Sequence, residues 1–253
     1  MKEIMLKKSN LHKGHLILVN NDYPINDSLL YAEEQMVSLN EEFKNIYLEF
    51  RVANLLTQLF KKIGCKDEIV PVSGFRSYIE QEQIYHSSLA EKGESFTKKY
   101  VALPNKSEHQ TGFAVDLAEN AKQIDFITPN FPDTGLCGEF KKIAAKYGFV
   151  ERYRKSKEKI TGISHEPWHF RYVGYPHAQI MQDNDLCLEE YILFIKEFEY
   201  GKKTLILDDF SKKTEIFYVP ANKDYIGIEI PQSSCFQISG NNIDGFIVTV
   251  WCW

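Results

Sequence analysis

A chain of 253 residues with 43% hydrophobic and 26% charged residues has the composition of an ordinary folded protein, long enough to bury a substantial core. A formal net charge of −5 lacks the basic excess of a phosphate-backbone binder, so nucleic acid is not an expected partner. Apolar runs fall well short of the roughly 18 residues that suggest a membrane span, and charges break up the N-terminal stretch where a signal peptide needs an apolar segment.

In chain order, residues 16–19 read as a short strand closed by Asn20-Asn21-Asp22. Leu48, Val52, Leu55, Leu56, Leu59, Phe60 and Ile63 form a helical stripe within 45–63, with Gly64 placed to stop it. Residues 69–72 predict a buried strand, and 77–92 a helix with Gly93 near its end. A strand is expected at 113–117. The Asn-, Asp- and Pro-rich segment 119–132 reads either as a wall of a substrate subsite or as a plain surface connection. A helix over 136–147 stopped by Gly148, a strand over 168–173 and a last helix over 188–200 follow. Beyond Gly201, β-prone runs at 204–210, 215–219, 225–230, 236–239 and 246–251 are separated by Asp, Asn, Gly and Pro. Their spacing predicts an antiparallel β unit of about 50 residues. The expected organisation is a core over 1–200 and a small β unit over 201–253. Packing, homodimer formation and binding are all open as roles for the second.

Five cysteines, odd in number and without Cys-x-x-Cys spacing, point to reduced thiols in a cytoplasmic protein rather than to disulfides or a cysteine metal site. Histidine and carboxylate chemistry concentrates in two places. His109 precedes Asp116 by seven residues, and Asp116 stands in an apolar strand where an isolated carboxylate is costly. His165-Glu166-Pro167-Trp168-His169 follows later, and Pro167 disfavours helix at Glu166, so this is not a helical His-Glu-x-x-His site. Two histidines and one carboxylate are a standard catalytic zinc set, with a nearby glutamate able to take a proton from water. On spacing alone, structural histidines and a hydrogen-bonded aspartate remain the alternative. His165 is expected at the surface or behind the ligands, and Trp168 as packing beneath the site.

The succession Ser107-x-His109-x-x-Gly112-x-Ala114-x-Asp116 and then Glu166-x-x-His169 resembles the signature of the LAS or M15 zinc peptidases. Ser73-Gly74-Phe75-Arg76-Ser77, with Gln83 seven residues past Arg76, is similar to what that family carries upstream. The resemblance spans roughly residues 13–173. Within the family, Gly14-His15-Leu16-Ile17-Leu18-Val19-Asn20-Asn21-Asp22 resembles the VanXY-type D,D-peptidases of vancomycin resistance, and the C-terminal extension the G subtype.

The resemblance implies an α+β fold in which a small antiparallel sheet, flanked by helices, carries the site, followed by a C-terminal all-β extension. It implies one Zn2+ per chain held by His109, Asp116 and His169, with Glu166 as general base and then acid. Arg76 would stabilise the oxyanion, and Ser107 and Gln83 would hold the substrate's terminal carboxylate. Gln83 reads equally well as an exposed polar residue of a helix. The implied substrates are D-Ala-D-Ala and precursor peptides ending in D-Ala-D-Ala. Within the family, L,D-carboxypeptidase and L-alanyl-D-glutamate endopeptidase activities share the same metal motif. An inactive zinc-dependent peptide-binding module is the non-enzyme reading, disfavoured because Glu166 and Arg76 are both present.

Overall fold

The computed structural model describes residues 1–25, 35–41, 43–209 and 212–252. The chain divides into two compact units, one of residues 19–187 and one that joins residues 1–18 to 188–253. This partition differs from a division at Gly201. The first strand, β1 (Lys2–Lys7), pairs antiparallel with a strand more than two hundred residues later, a partnership that local patterning does not encode.

The unit of residues 19–187 opens with the hairpin of β2 (Met36–Ser38) and β3 (Tyr47–Glu49), which leads directly into helix α1 (Phe50–Ile63). The helix was expected from residue 45. It begins later because the Glu49 carboxylate accepts the backbone N–H groups of Arg51 and Val52 and so caps the first turn. Gly64 ends the helix in the left-handed conformation, as the stripe predicted. Then come β4 (Ile69–Ser73), α2 (Tyr78–Lys92), α3 (Glu94–Tyr100), β5 (Ala114–Glu119), α4 (Gly135–Ala144), β6 (Phe149–Tyr153), α5 (Glu158–Thr161), β7 (Glu166–Tyr172) and α6 (His177–Asp183). Helix α2 starts on a capping box in which Ser77 and Glu80 satisfy each other's backbone donors. Helix α4 stops at Ala144 and tightens into a 3-10 turn, Ala145–Tyr147, so the element expected over 136–147 is two kinds of helix.

Strands β4, β5, β7 and β6 form one antiparallel sheet in that order. Val52, Leu56 and Leu59 of α1 and Phe140 of α4 cover it, packing with Val115, Leu117 and Phe170 in one core. Burying such side chains is worth about 1.5–3 kcal/mol each, which gives the site a rigid floor.

In the other unit, α7 (Leu188–Lys196) is followed by β8 (Leu205–Asp209), β9 (Lys212–Pro220), β10 (Tyr225–Ile230), β11 (Cys235–Gly240) and β12 (Gly245–Cys252). The helix is shorter than the 188–200 expected. Strands β11, β12, β9 and β8 form an antiparallel sheet, while β10 pairs with β1. Its core draws Leu6 and Leu11 together with Phe217, Ile228, Phe246 and Val248. Residues 16–19, expected as a strand, are buried but form none. Their apolar run signals burial rather than pairing, and the Leu16 N–H is satisfied by the Ser239 hydroxyl instead of a strand partner. The chain is therefore α+β with small antiparallel sheets and an all-β C-terminal portion.

Candidate metal centre

Register across the sheet places the first two ligand candidates side by side. Asp116 of β5 lies directly opposite His169 of β7, and Ser73 of β4 lies opposite Asp116 on the other side. Opposed residues of antiparallel strands project to the same face. Glu166 and His169 are three apart, so in a regular strand they would face opposite ways. The pairing of β6 with β7 is irregular between Glu151 and Tyr153, where Glu151 faces Phe170 but Tyr153 faces Glu166. That irregularity spans Pro167, which has no N–H for the ladder, and it lets both side chains reach one cavity.

His109 arrives from a short 3-10 turn, Glu108–Thr111, closed by Gly112 at φ 71°. The left-handed backbone at Gly112 calls for glycine, and a Cβ there would also displace the end of the Met36 side chain, 2.5 Å away at Sδ, and sit tightly, at 3.2 Å, against the Glu49 nitrogen. His109, Asp116 and His169 are buried, and one donor atom from each lies within 4.8 Å of the others. His109 Nε2 is 3.1 Å from Asp116 Oδ2, and His169 Nδ1 is 2.9 Å from Asp116 Oδ1.

The donor set fits zinc. The Nδ1 of His109 is 2.7 Å from the Gly74 carbonyl, which can only accept, so Nδ1 carries the proton and Nε2 offers its lone pair to the cluster. Burial and the Arg76 guanidinium lower the His109 pKa, which keeps the ring neutral and ready to ligate. Burial alone would raise the Asp116 carboxyl, but the two histidines hold it well below its ordinary value, in the ionised form a cation needs. Two imidazoles and a carboxylate in a buried, open-sided group are a catalytic zinc donor set.

Glu166 sits beside the cluster, 4.0 Å from His169 Nδ1 through Oε2. Burial pushes its carboxyl up to about 8. Arg76 is fixed by three partners. Its Nε donates to Ser73 Oγ at 2.9 Å, Nη1 to Gln81 Oε1 at 3.4 Å and Nη2 to Asp116 Oδ2 at 2.9 Å. All of these candidates line one cavity of about 380 Å³.

Ser107 is buried at its wall, and its hydroxyl does not cap the turn that follows. Gln83 is exposed on α2 and reaches the same cavity. Trp168 belongs to the core cluster and also lines the cavity. Phe126 and Ile127 bring the 119–132 segment to the cavity wall. There the Asp125 carboxylate accepts the N–H groups of Ile127 and Thr128 and fixes the turn. His165 lies outside the donor cluster, with Nε2 3.2 Å from Glu151 Oε1.

Four residues escaped sequence reasoning. Gln81, fully buried, links Arg76 to the Ala102 carbonyl at 2.8 Å and is the residue of α2 that holds the guanidinium. Glu108, Arg152 and Arg171 form a buried charged cluster behind the ligands, with Glu108 Oε1 2.8 Å from Arg152 Nε and 3.0 Å from Arg171 Nη1. Glu108 stands inside the quoted motif, but its partners come from two strands that only the fold brings beside it. Despite burial, the two arginines hold its carboxyl far below the ordinary range.

A buried His–Asp–His donor set with a carboxyl and a guanidinium converging on the same cavity defines a metallopeptidase. Residues 45–175 match the VanY D-alanyl-D-alanine carboxypeptidase family, to which this chain belongs. The structure of the vancomycin-resistance D,D-dipeptidase VanXYg in complex with a D-Ala-D-Ala phosphinate analogue is 52% identical, covers 99% of both chains and superposes with a TM-score of 0.95. The bifunctional D-Ala-D-Ala dipeptidase and D-Ala-D-Ala carboxypeptidase VanXYC of Enterococcus gallinarum is 37% identical over 177 residues, 70% of this chain and 92% of the relative. A VanY D,D-pentapeptidase from a VanB-type resistance cassette, solved with Zn(II), is 30% identical over 70% of this chain and 98% of that one, with a TM-score of 0.56. Among the described residues no helix is long and apolar enough to cross a membrane.

Proposed function

We propose that this chain hydrolyses free D-Ala-D-Ala and removes the terminal D-Ala from peptidoglycan precursor pentapeptides. It would act on cytoplasmic precursors and contribute to vancomycin resistance by removing the drug's target. The observation that carries this reading is the convergence of His109, Asp116 and His169 with Glu166 and Arg76 on one cavity. The activities of VanXYg and VanXYC, to which the chain is similar over most or all of its length, support the choice of substrate.

His109 Nε2, an Asp116 oxygen and His169 Nδ1 would hold one zinc ion. When bound, zinc supplies Lewis acidity, acidifying water and polarising the scissile carbonyl. Glu166 takes a proton from the attacking water onto its carboxylate and passes it to the leaving D-alanine nitrogen. Burial raises the proton affinity of Glu166 in the metal-free site, which suits the uptake of the water's proton, and a bound cation would favour the carboxylate that starts the cycle. Arg76 has five N–H donors, and the three contacts among the described residues leave two for the carbonyl oxygen as charge builds on it. Ser107 and Gln83 are assigned to the terminal carboxylate. Phe126 and Ile127 would border the acyl side, where a free dipeptide presents an ammonium group and a precursor a longer chain.

D-alanine release by zinc-loaded protein from D-Ala-D-Ala and from a precursor pentapeptide, beside Glu166→Ala and a chelated sample, tests the reading. Release from both substrates, lost in both controls, is the expected result. Release from one alone narrows the activity to dipeptidase or carboxypeptidase. Zinc uptake without release from either refutes D,D-specificity in favour of L,D or endopeptidase substrates.

A further inference from the structure

We propose that Glu108 is a positioning residue for the metal centre: held by Arg152 and Arg171, it accepts the Nε2 proton of His169 and fixes that ring with Nδ1 turned to the metal. The proposal rests on the metal reading of His109, Asp116 and His169.

A histidine ligates through a nitrogen that carries no proton, and the partner of its other nitrogen decides which one that is. For His109 a backbone carbonyl makes the choice. His169 has no carbonyl in that role among its described contacts. Its Nδ1 faces Asp116 and the donor cluster at 2.9 Å, while its Nε2 faces Glu108 Oε2 at 3.4 Å. With Asp116 and the Nδ1 beside it both given to the metal, Glu108 is the acceptor left for the ring's proton, which then sits on Nε2 while the Nδ1 lone pair falls on the metal side.

A buried carboxylate can serve as a fixed acceptor only if its charge is compensated. Arg152 and Arg171 both address Oε1, which leaves Oε2 to His169. The three side chains are at most 1% exposed, so none of these contacts competes with bulk water. Arg152 and Arg171 come from the adjoining strands β6 and β7, the latter also carrying His169. Glu108 precedes the ligand His109 in the same 3-10 turn. One short turn therefore supplies one ligand and the orienting group of another. The Tyr153 ring, with its centroid 4.9 Å from that of His169 and tilted by 36°, closes the open face of the imidazole.

The decisive measurement is a long-range proton–nitrogen NMR spectrum of zinc-loaded wild-type protein, with the His169 resonances assigned. A proton on Nε2 and zinc on Nδ1 is expected, and the opposite arrangement overturns the proposal without any variant. Zinc affinity by chelator competition provides the second readout. Glu108→Ala should weaken zinc binding by about 10–100-fold and broaden or mix the His169 tautomer signals. Glu108→Gln, which keeps an acceptor oxygen, should restore most of the Nε2-protonated form. A folded Glu108→Ala protein with wild-type zinc affinity and an unchanged His169 spectrum overturns the proposal, because a purely structural Glu108 would alter stability alone. Failure of the wild type itself to take up zinc overturns the metal reading and this proposal with it, whereas uptake with the wrong tautomer overturns only the proposal.

Discussion

Glutamine in place of Glu166 should make the metal-free protein more stable and leave the zinc-loaded protein inactive. Glu166 is only 6% exposed. Burial, opposed by His169 and reinforced by Asp116, pushes its carboxyl from an ordinary 4.5 up to about 8. Above pH 4.5 the unfolded chain releases a proton that the folded chain retains, so the folded state binds more protons and stability falls as pH rises. The fall continues until the folded carboxyl ionises near 8 and then levels off. Each pH unit is worth about 1.4 kcal/mol, and about two and a half units separate 4.5 from neutrality, which gives roughly 3 kcal/mol at pH 7. Glutamine keeps the shape and has no charge to desolvate, so Glu166→Gln should lack this slope. At about 2–4 °C per kcal/mol for a chain of this size, its melting temperature at pH 7 should rise by roughly 6–12 °C. Urea unfolding of both proteins at several pH values between 5 and 8, with chelator present, measures the effect. The gap between the two should widen with pH. A gap that stays constant, or a variant less stable than the wild type throughout, would refute a desolvated carboxyl at this position.

Arg76→Ala should lower kcat about 10²–10³-fold, the usual cost of one lost preorganised donor, with a smaller change in KM. An equal loss confined to KM would assign Arg76 to ground-state binding instead. Chelation should abolish D-alanine release, and zinc should restore it. Free zinc at about 100 times its dissociation constant should also stabilise the fold by roughly 2.7 kcal/mol, visible as a raised melting temperature. Gly112→Ala should cost more than about 1 kcal/mol in urea unfolding, since an L side chain is strained at φ 71° and would meet Met36. Phe126 is 70% exposed, so Phe126→Ala should leave stability within about 0.5 kcal/mol. The same variant should shift the ratio of kcat/KM on pentapeptide to that on dipeptide, and an unchanged ratio would exclude this residue from the acyl-side wall.

Much of the local structure was legible in the residues themselves. The apolar stripe of α1 and the stops at Gly64 and Gly148 follow from interactions within one or two helical turns. The donor residues were legible for a related reason. His109 and Asp116 are brought near one another by a tight turn and the start of a strand, so their spacing survives in the sequence as a motif. Pro167 likewise announced that Glu166 and His169 lie on extended chain rather than on a helix.

Other features arose only when distant segments paired. The pairing of β1 with β10, the opposition of Asp116 to His169 and the aim of Arg76 at Asp116 depend on strand register, which is set by packing across the whole sheet. Glu108 shows the division most clearly. Its neighbour His109 marked the turn as part of the site, yet nothing near it in the chain says that Arg152 and Arg171 will neutralise it. A buried charge is tolerable only beside its partners, and those partners are assembled by tertiary structure alone.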